Sequence, residues 1–204
     1  MNEVQYPVEL VVAGKRCVVV GGGSVAARKV AGLLAAGADV LVVAPVISDE
    51  IKATPVQKAE REYRRSDLEG AWLVIAATDD PEVNDEVYTD GENAHVWVNS
   101  ADDPEACSFT LPAVLRRGPV TVAVSTSGHS PALAAWLKGQ IADQLGPEIA
   151  ELAVLLSEAR DQLKAAGRST EEVDWRPALD WDMLELIKAG QLARARERLQ
   201  ACLS

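Results

Sequence analysis

Apolar residues in the first half of the chain fall into short unbroken runs, each separated from the next by a stretch with helical spacing. Lys15–Val20 is the first run, and it ends on Gly21, Gly22 and Gly23. That pattern predicts a buried strand closing on a glycine turn. Val25 to Ala36 follows with Val30, Leu33 and Leu34 on one face, which predicts a helix, and Gly37 is placed to cap it. Ala38–Ala44 is a second buried strand, stopped by Pro45. Arg61–Asp67 is read as a short third strand and Ala71–Asp80 as a fourth. Asp80 followed by Pro81 is a helix start, a carboxylate cap before proline at the first helical position. That helix is expected to run to about Asn93, with His95 opening a fifth strand that ends at Ser100. Strands alternating with helices imply parallel pairing, so the expected fold class is α/β, a Rossmann-type doubly wound sheet.

The rhythm changes after Asp103. Ser108–Leu115, a turn at Arg116–Pro119, and Val120–Thr126 read as two adjacent strands with no helix between them. Ser130-Pro131 opens a helix that reaches about Leu145. From Pro147 onward the chain reads as helical, because Ile149, Leu152, Leu155, Leu156, Ala159 and Leu163 recur at three- and four-residue spacing. A polar break at 166–174 precedes one or two closing helices.

Composition narrows the function classes. The chain has 204 residues, 48% hydrophobic and 25% charged, with a formal net charge of −11. That charge argues against general nucleic-acid binding, which needs a basic surface. An anionic small ligand would need a local basic patch to offset the field of the whole. No run of eighteen apolar residues is present and the N-terminus lacks a signal-peptide pattern, so no membrane association is expected. Cys17, Cys107 and Cys202 are far apart and odd in number, which fits a cytoplasmic protein without disulfides.

Gly21, Gly23 and Ala26 match the G-x-G-x-x-G/A dinucleotide fingerprint, after a strand and before a helix. The first glycine makes the tight turn, the second lets the backbone approach a pyrophosphate, and the third small residue lets helix and strand pack closely. Gly21, Gly22, Gly23, Ser24 and Val25 are therefore the expected phosphate cradle, at a helix N-terminus that favours anions. The acidic residue usual about twenty positions on is absent. Ribose and adenine contacts are instead expected from backbone near Ala44, Pro45 and Val46, and the motif itself does not choose between NAD and NADP.

Four stretches in order carry a family resemblance: Tyr6–Leu10, the glycine loop, Ala77–Asn84 with Val98–Phe109, and Val122–Ala134. Together they resemble the siroheme-synthase dehydrogenase family, precorrin-2 dehydrogenases of which some members are also sirohydrochlorin ferrochelatases. The likeness is strongest from Tyr6 to Leu145. It implies an NAD-binding domain over 1–113, a dimerisation region over 114–146 and a helical domain over 147–204. It also implies a homodimer, precorrin-2 as substrate, and in chelatase members Fe²⁺ as a second substrate. Some members carry a methyltransferase module, and this sequence looks like the stand-alone type. The family's functional aspartate lies three residues beyond an asparagine and two before a proline. Asn99, Asp102 and Pro104 keep that spacing, so Asp102 is the candidate catalytic residue. On residues alone, Asp102-Asp103-Pro104 reads equally well as a solvated turn. The same resemblance points to Thr78 and Asp79 for the cofactor, and to Arg28, Asn99, Ser125 and His129 for the substrate.

Several of these have plainer readings. Arg28 and Lys29 read by position as a solvated helix face. Their functional reading is that one of them meets a substrate carboxylate. His129 lies in a small-residue loop where relatives are richer in glycine than Ser127 allows; it could line the substrate cleft or approach iron, and no second ligand has telling spacing. Cys107 reads as a packing residue, with no histidine partner to activate it. The rival to an enzyme is a non-enzymatic, dimerising dinucleotide sensor. Such a module needs the glycine loop but not Asp102.

Overall fold

Four of the five expected strands pair side by side, and a polar segment supplies the fifth. The computed structural model describes residues 5–171 and 173–203. Strands β1 (Arg16–Val20), β2 (Asp39–Ala44), β3 (Gln57–Glu60), β4 (Leu73–Ala76) and β5 (Trp97–Ser100) form one parallel sheet in the order β3-β2-β1-β4-β5. Two compact units divide the chain after Leu111. The sheet belongs to the first.

Alternation along the strands sends side chains into two cores. Cys17, Val19, Val40, Val42 and Ile75 face the side covered by α1 (Ser24–Ala35) and α2 (Asp49–Lys52). Val18, Val20, Val74 and Val98 face the side covered by α3 (Pro81–Ala94) and by Leu68 of a 3-10 turn at Arg65–Leu68. Burial on both faces explains why these strands are continuously apolar. Val30, fully buried under α1, contributes about 1.5–3 kcal/mol by leaving water.

The helix ends are written in the sequence. At the C-terminus of α1, Gly37 (φ +75°) donates its N–H to Leu34 O and Ala38 donates to Leu33 O, a Schellman motif that turns the chain into β2. Asp80 accepts the Glu82 N–H at 3.0 Å and caps α3, with Pro81 in the first turn.

Three details differ from the pattern reading. The third strand is Gln57–Glu60, not Arg61–Asp67, which holds the 3-10 turn. As the sheet's edge, β3 pairs on one side only, so its polar composition carried no apolar signal. His95 does not open β5. It ends α3 in the left-handed region at φ +55°, and the strand starts at Trp97. The short helix α2 was not expected.

In the second unit, β6 (Ala113–Arg117) and β7 (Val120–Val124) form an antiparallel hairpin, so the first of the two expected strands starts later than Ser108. Gly118 turns it at φ +54°, where a Cβ would lie 2.8 Å from Ala150 Cβ. Helix α4 (Pro131–Gln144) packs on both hairpin strands, and Arg117 Nε donates to Leu145 O at its far end. Helices α5 (Glu148–Ala165), α6 (Trp181–Lys188) and α7 (Leu192–Leu203) share a core of Leu152, Leu155, Ala159, Leu163, Met183, Ile187, Ala195 and Leu199. Among the described residues no helix is long and apolar enough to cross a membrane.

Candidate functional site

Four loops leave the carboxyl ends of β1, β2, β4 and β5 at one edge of the sheet. The connection order reverses between β1 and β4. That is the switch point where open parallel sheets leave a crevice for ligands.

The three glycines of the first loop have different reasons to be glycine. A Cβ on Gly21 would run into the Ala77 carbonyl, and its φ is +128°. A Cβ on Gly22 would run into the Val46 carbonyl. Those two positions are demanded by the protein's own loops after β4 and β2. Gly23 is different: a Cβ there would meet nothing within 4 Å, and its φ of −86° suits any residue. The structure itself does not require glycine at 23, so the open space fits a ligand backbone passing close by. Gly23 is also the N-cap of α1 and makes no side-chain cap bond. The first N–H groups of α1, those of Ser24, Val25 and Ala26, have no intrahelical acceptor by helix geometry. Open space beside free amides at a helix start is what a pyrophosphate needs.

Ala44 is buried at the end of β2, while Pro45 and Val46 are exposed, Val46 by 79%. Gly22 O accepts the Ser48 N–H at 2.9 Å and joins the first two loops. After β4, Thr78 is half-buried and Asp79 exposed. Thr78 is held by Asn84, a buried residue of α3 that the sequence reading did not single out. Asn84 Nδ2 donates to Thr78 O (3.1 Å), and Asn84 Oδ1 accepts from the Thr78 hydroxyl (2.8 Å) and N–H (3.3 Å).

The loop after β5 folds back on its own strand through an antiparallel bridge between Asn99 and Cys107. Asn99, 6% exposed, donates from Nδ2 to Phe109 O at 3.0 Å and to Cys107 Sγ at 3.5 Å. Its Oδ1 is buried with no hydrogen-bond partner among the described residues. Cys107 Sγ accepts the Ser100 N–H at 3.2 Å, and its thiol lies 3.3 Å from Ser100 O and 3.2 Å from Asp103 O. Burial pushes this thiol up, outweighing the Ser100 N–H, so it stays protonated at neutral pH. Cys107 is therefore a hydrogen-bonded staple, beyond the packing role its sequence suggested. Asp103 uses its carboxylate locally, accepting the Glu105 N–H at 2.8 Å. Asp102 is exposed and, among the described residues, has no hydrogen bond or ion pair.

Helix α1 and this loop share a core. Val25 and Leu33 pack on the same core as Ala101 and Phe109. Lys29 lies one turn from Val25 and from Leu33, on the same stripe of α1. It is half-buried while Arg28 is exposed. Burial holds the Lys29 ammonium below its ordinary pKa, with Arg28 adding to the effect and Cys107 and Asp102 opposing it. The first unit thus brings together Gly21–Val25, Ala44–Val46, Thr78, Asp79, Asn99 and Asp102 at one edge, with Lys29 beneath. Ser125 and His129 belong to the second unit. There the Ser125 hydroxyl accepts the Ser127 N–H at 3.1 Å, and His129 Nδ1 lies 3.0 Å from Thr126 O, both exposed in the turn before α4.

The profile of a family described as "Putative NAD(P)-binding" matches residues 8–113, about half of the chain. The chain belongs to this NAD(P)-binding family. A second profile, sirohaem biosynthesis protein central, matches residues 117–144. The siroheme synthase of Nitrosococcus oceani is 36% identical over 207 residues, covering 98% of this chain and 44% of that protein. That of Thioalkalivibrio sulfidiphilus is 37% identical over 204 residues, covering 97% and 42%. The chain spans less than half the length of these relatives. A solved structure, SirC, precorrin-2 dehydrogenase, superposes with a TM-score of 0.75 at 28% identity, covering 97% of this chain and 98% of that one. The resemblance read from the four motifs and the expected fold class both stand.

Proposed function

We propose that this protein is an NAD⁺-dependent dehydrogenase that oxidises precorrin-2 to sirohydrochlorin in siroheme or related tetrapyrrole synthesis. The observation that carries this reading is the pairing, at one sheet edge, of open space at Gly23 with an unpartnered carboxylate at Asp102. A dinucleotide sensor uses the first and has no need of the second. Likeness to SirC along the whole chain supports the same choice.

In this reading the amides of Ser24 and Val25 hold the pyrophosphate, which passes against Gly23. Backbone at Ala44–Val46 carries the adenosine, with exposed Val46 against the base. No carboxylate stands at the end of β2, so discrimination at the ribose rests on backbone groups. Thr78 and Asp79 extend the cofactor groove across the switch point. NAD⁺ supplies the hydride acceptor when bound. The chain's part is to place the macrocycle and to receive the proton it loses as the hydride leaves. Asp102 is the group for that proton, because its carboxylate is free where Asp103's is engaged. A positioned base of this kind contributes about 10²–10⁴-fold.

The test is spectral. Protein, NAD⁺ and anaerobic precorrin-2 should yield NADH and sirohydrochlorin together; NAD⁺ binding without either product would favour the sensor. Adding Fe²⁺ to sirohydrochlorin with and without protein reads whether iron is also inserted, with Fe²⁺ as a substrate guided by the same carboxylate. The reading also includes a cytoplasmic homodimer built on residues 114–146, where Leu133 and Trp136 of α4 are 46% and 59% exposed. A concentration-independent monomer mass in sedimentation would rule the dimer out.

A further inference from the structure

Among the described residues of the first unit five cations are half-buried: Lys15, Arg16, Lys29, Lys58 and Arg61. Four of them have a partner. Lys15 Nζ lies 4.2 Å above the Trp72 ring. Arg16 donates to Asp67 O. Lys58 donates to the carbonyls of Thr54 and Val56. Arg61 grips the Asp67 carboxylate with both terminal nitrogens. Lys29 alone among them has no hydrogen bond, ion pair or ring contact among the described residues.

An ammonium group that is partly desolvated and unpaired is costly, and that cost falls when an anion arrives. The place of Lys29 narrows which anion. It is the sixth residue of α1, so about 1.5 Å of rise per residue puts it roughly 8 Å along the helix from Ser24. That is beyond the first-turn amides that suit a pyrophosphate. The stripe Val25–Lys29–Leu33 lies on the face of α1 that packs on the same core as Ala101 and Phe109, which bracket Asp102. Asp102 is the carboxylate whose charge it feels in opposition to burial. The protein as a whole is strongly acidic. A polycarboxylate therefore needs a local cation exactly where it must be held, and steering by the global field works against it.

We propose that Lys29 is a substrate-binding residue: its ammonium pairs with a carboxylate arm of the tetrapyrrole and so sets the macrocycle against Asp102. This rests on the dehydrogenase reading and selects, between the two adjacent cations of α1, the half-buried one. Lys29 binds and orients; it transfers no proton. Arg28, exposed on the neighbouring face, is the natural control.

The experiment compares wild type, Lys29→Gln, Lys29→Arg and Arg28→Gln. Each is measured for the KM and kcat of precorrin-2 oxidation, for sirohydrochlorin affinity by absorbance titration, and for NAD⁺ affinity by calorimetry. Losing one charge-assisted bond to a carboxylate should raise KM and the sirohydrochlorin Kd on the order of tenfold. The change in kcat should be smaller, and NAD⁺ affinity should hold, which also reports that the variant is folded. Lys29→Arg should recover most of the loss, whereas a packing role would not follow the charge. Arg28→Gln should cost less than Lys29→Gln. An unchanged KM in Lys29→Gln overturns the proposal, as does a parallel loss of NAD⁺ affinity, which would assign Lys29 to the cofactor. A wild type that turns over precorrin-2 beside an indifferent Lys29→Gln defeats this inference alone. A wild type that neither turns over precorrin-2 nor binds sirohydrochlorin defeats the dehydrogenase reading and this inference with it.

Discussion

The backbone N–H of Ser100 points at the sulfur of Cys107, 3.2 Å away, and closes the loop that carries Asp102. Six residues separate the two, and the hairpin they pin is reinforced by Asn99 reaching Phe109 O. The thiol both accepts and donates here, and a hydroxyl can do the same. Cys107→Ser is therefore expected to keep turnover within a few-fold. Cys107→Val adds one heavy atom and leaves the Ser100 amide without its acceptor, a cost of about 1–3 kcal/mol. It should lower kcat for precorrin-2 oxidation by tenfold or more with NAD⁺ affinity nearly intact. The thiol itself, held protonated by burial, should react with iodoacetamide more slowly than free cysteine at pH 7.5. Kinetics, calorimetry and alkylation rates check the three parts.

The glycine loop separates folding from binding. Gly22→Ala places a Cβ against the Val46 carbonyl, so the loops after β1 and β2 must part. Its melting temperature should fall by several degrees. At Gly23 a Cβ meets nothing within 4 Å, so Gly23→Val is expected to fold. The added side chain occupies the path proposed for the pyrophosphate, so NAD⁺ affinity should drop at least tenfold. A Gly23→Val protein with wild-type melting and wild-type affinity, measured by calorimetry, would remove the cofactor from this loop.

Much of this arrangement is legible in the chain because burial and turn chemistry leave strong local marks. The doubly buried strands show as valine runs, and Gly37 and Asp80-Pro81 mark helix ends by conformations and caps that few other residues supply. What escaped has physical reasons. The edge strand β3 needs no apolar alternation, so Gln57–Glu60 was not singled out as a strand. The helix end near Asn93 was expected, but not the left-handed turn at His95, a place where glycine is usual. In the site, Asn84 and Cys107 act through side-chain bonds to backbone brought near by folding, which no spacing rule records. Lys29 and Arg28 are indistinguishable as letters. Only the packing of Val25 and Leu33 decides which of them turns inward.

The two aspartates of the loop give a paired test. Asp102→Asn keeps shape and removes basicity. It should lower dehydrogenase kcat by about 10²-fold or more, the scale for losing a positioned base, while NAD⁺ binding holds. Asp103→Asn keeps an oxygen for the Glu105 N–H, so the turn survives and the loss should be small. Steady-state kinetics on both variants decides between them. Reversed behaviour would assign the proton to Asp103, and no loss in either would leave positioning alone to support hydride transfer.

Away from the site, Asp67 predicts how stability depends on pH. It is 5% exposed, and its carboxylate accepts from both Arg61 terminal nitrogens (2.8 and 2.6 Å) and from the Arg64 N–H (3.0 Å). The Arg61 hydrogen bonds, chiefly, hold its pKa below the ordinary value, against the opposing effect of burial. An aspartate in the unfolded chain titrates near about 3.9. Because the folded pKa lies lower, the unfolded state takes up the proton first as pH falls. The stabilisation is thus fully present above roughly pH 5 and is lost progressively through about pH 4 and below. Asp67→Asn should melt several degrees lower than wild type at pH 7, since it leaves a neutral amide facing the Arg61 guanidinium. At pH 3 the two proteins should melt much closer together. Thermal melts across that range carry the test: a gap that stays constant from pH 7 to pH 3 would mean that the charge of Asp67 contributes nothing and that only its shape matters.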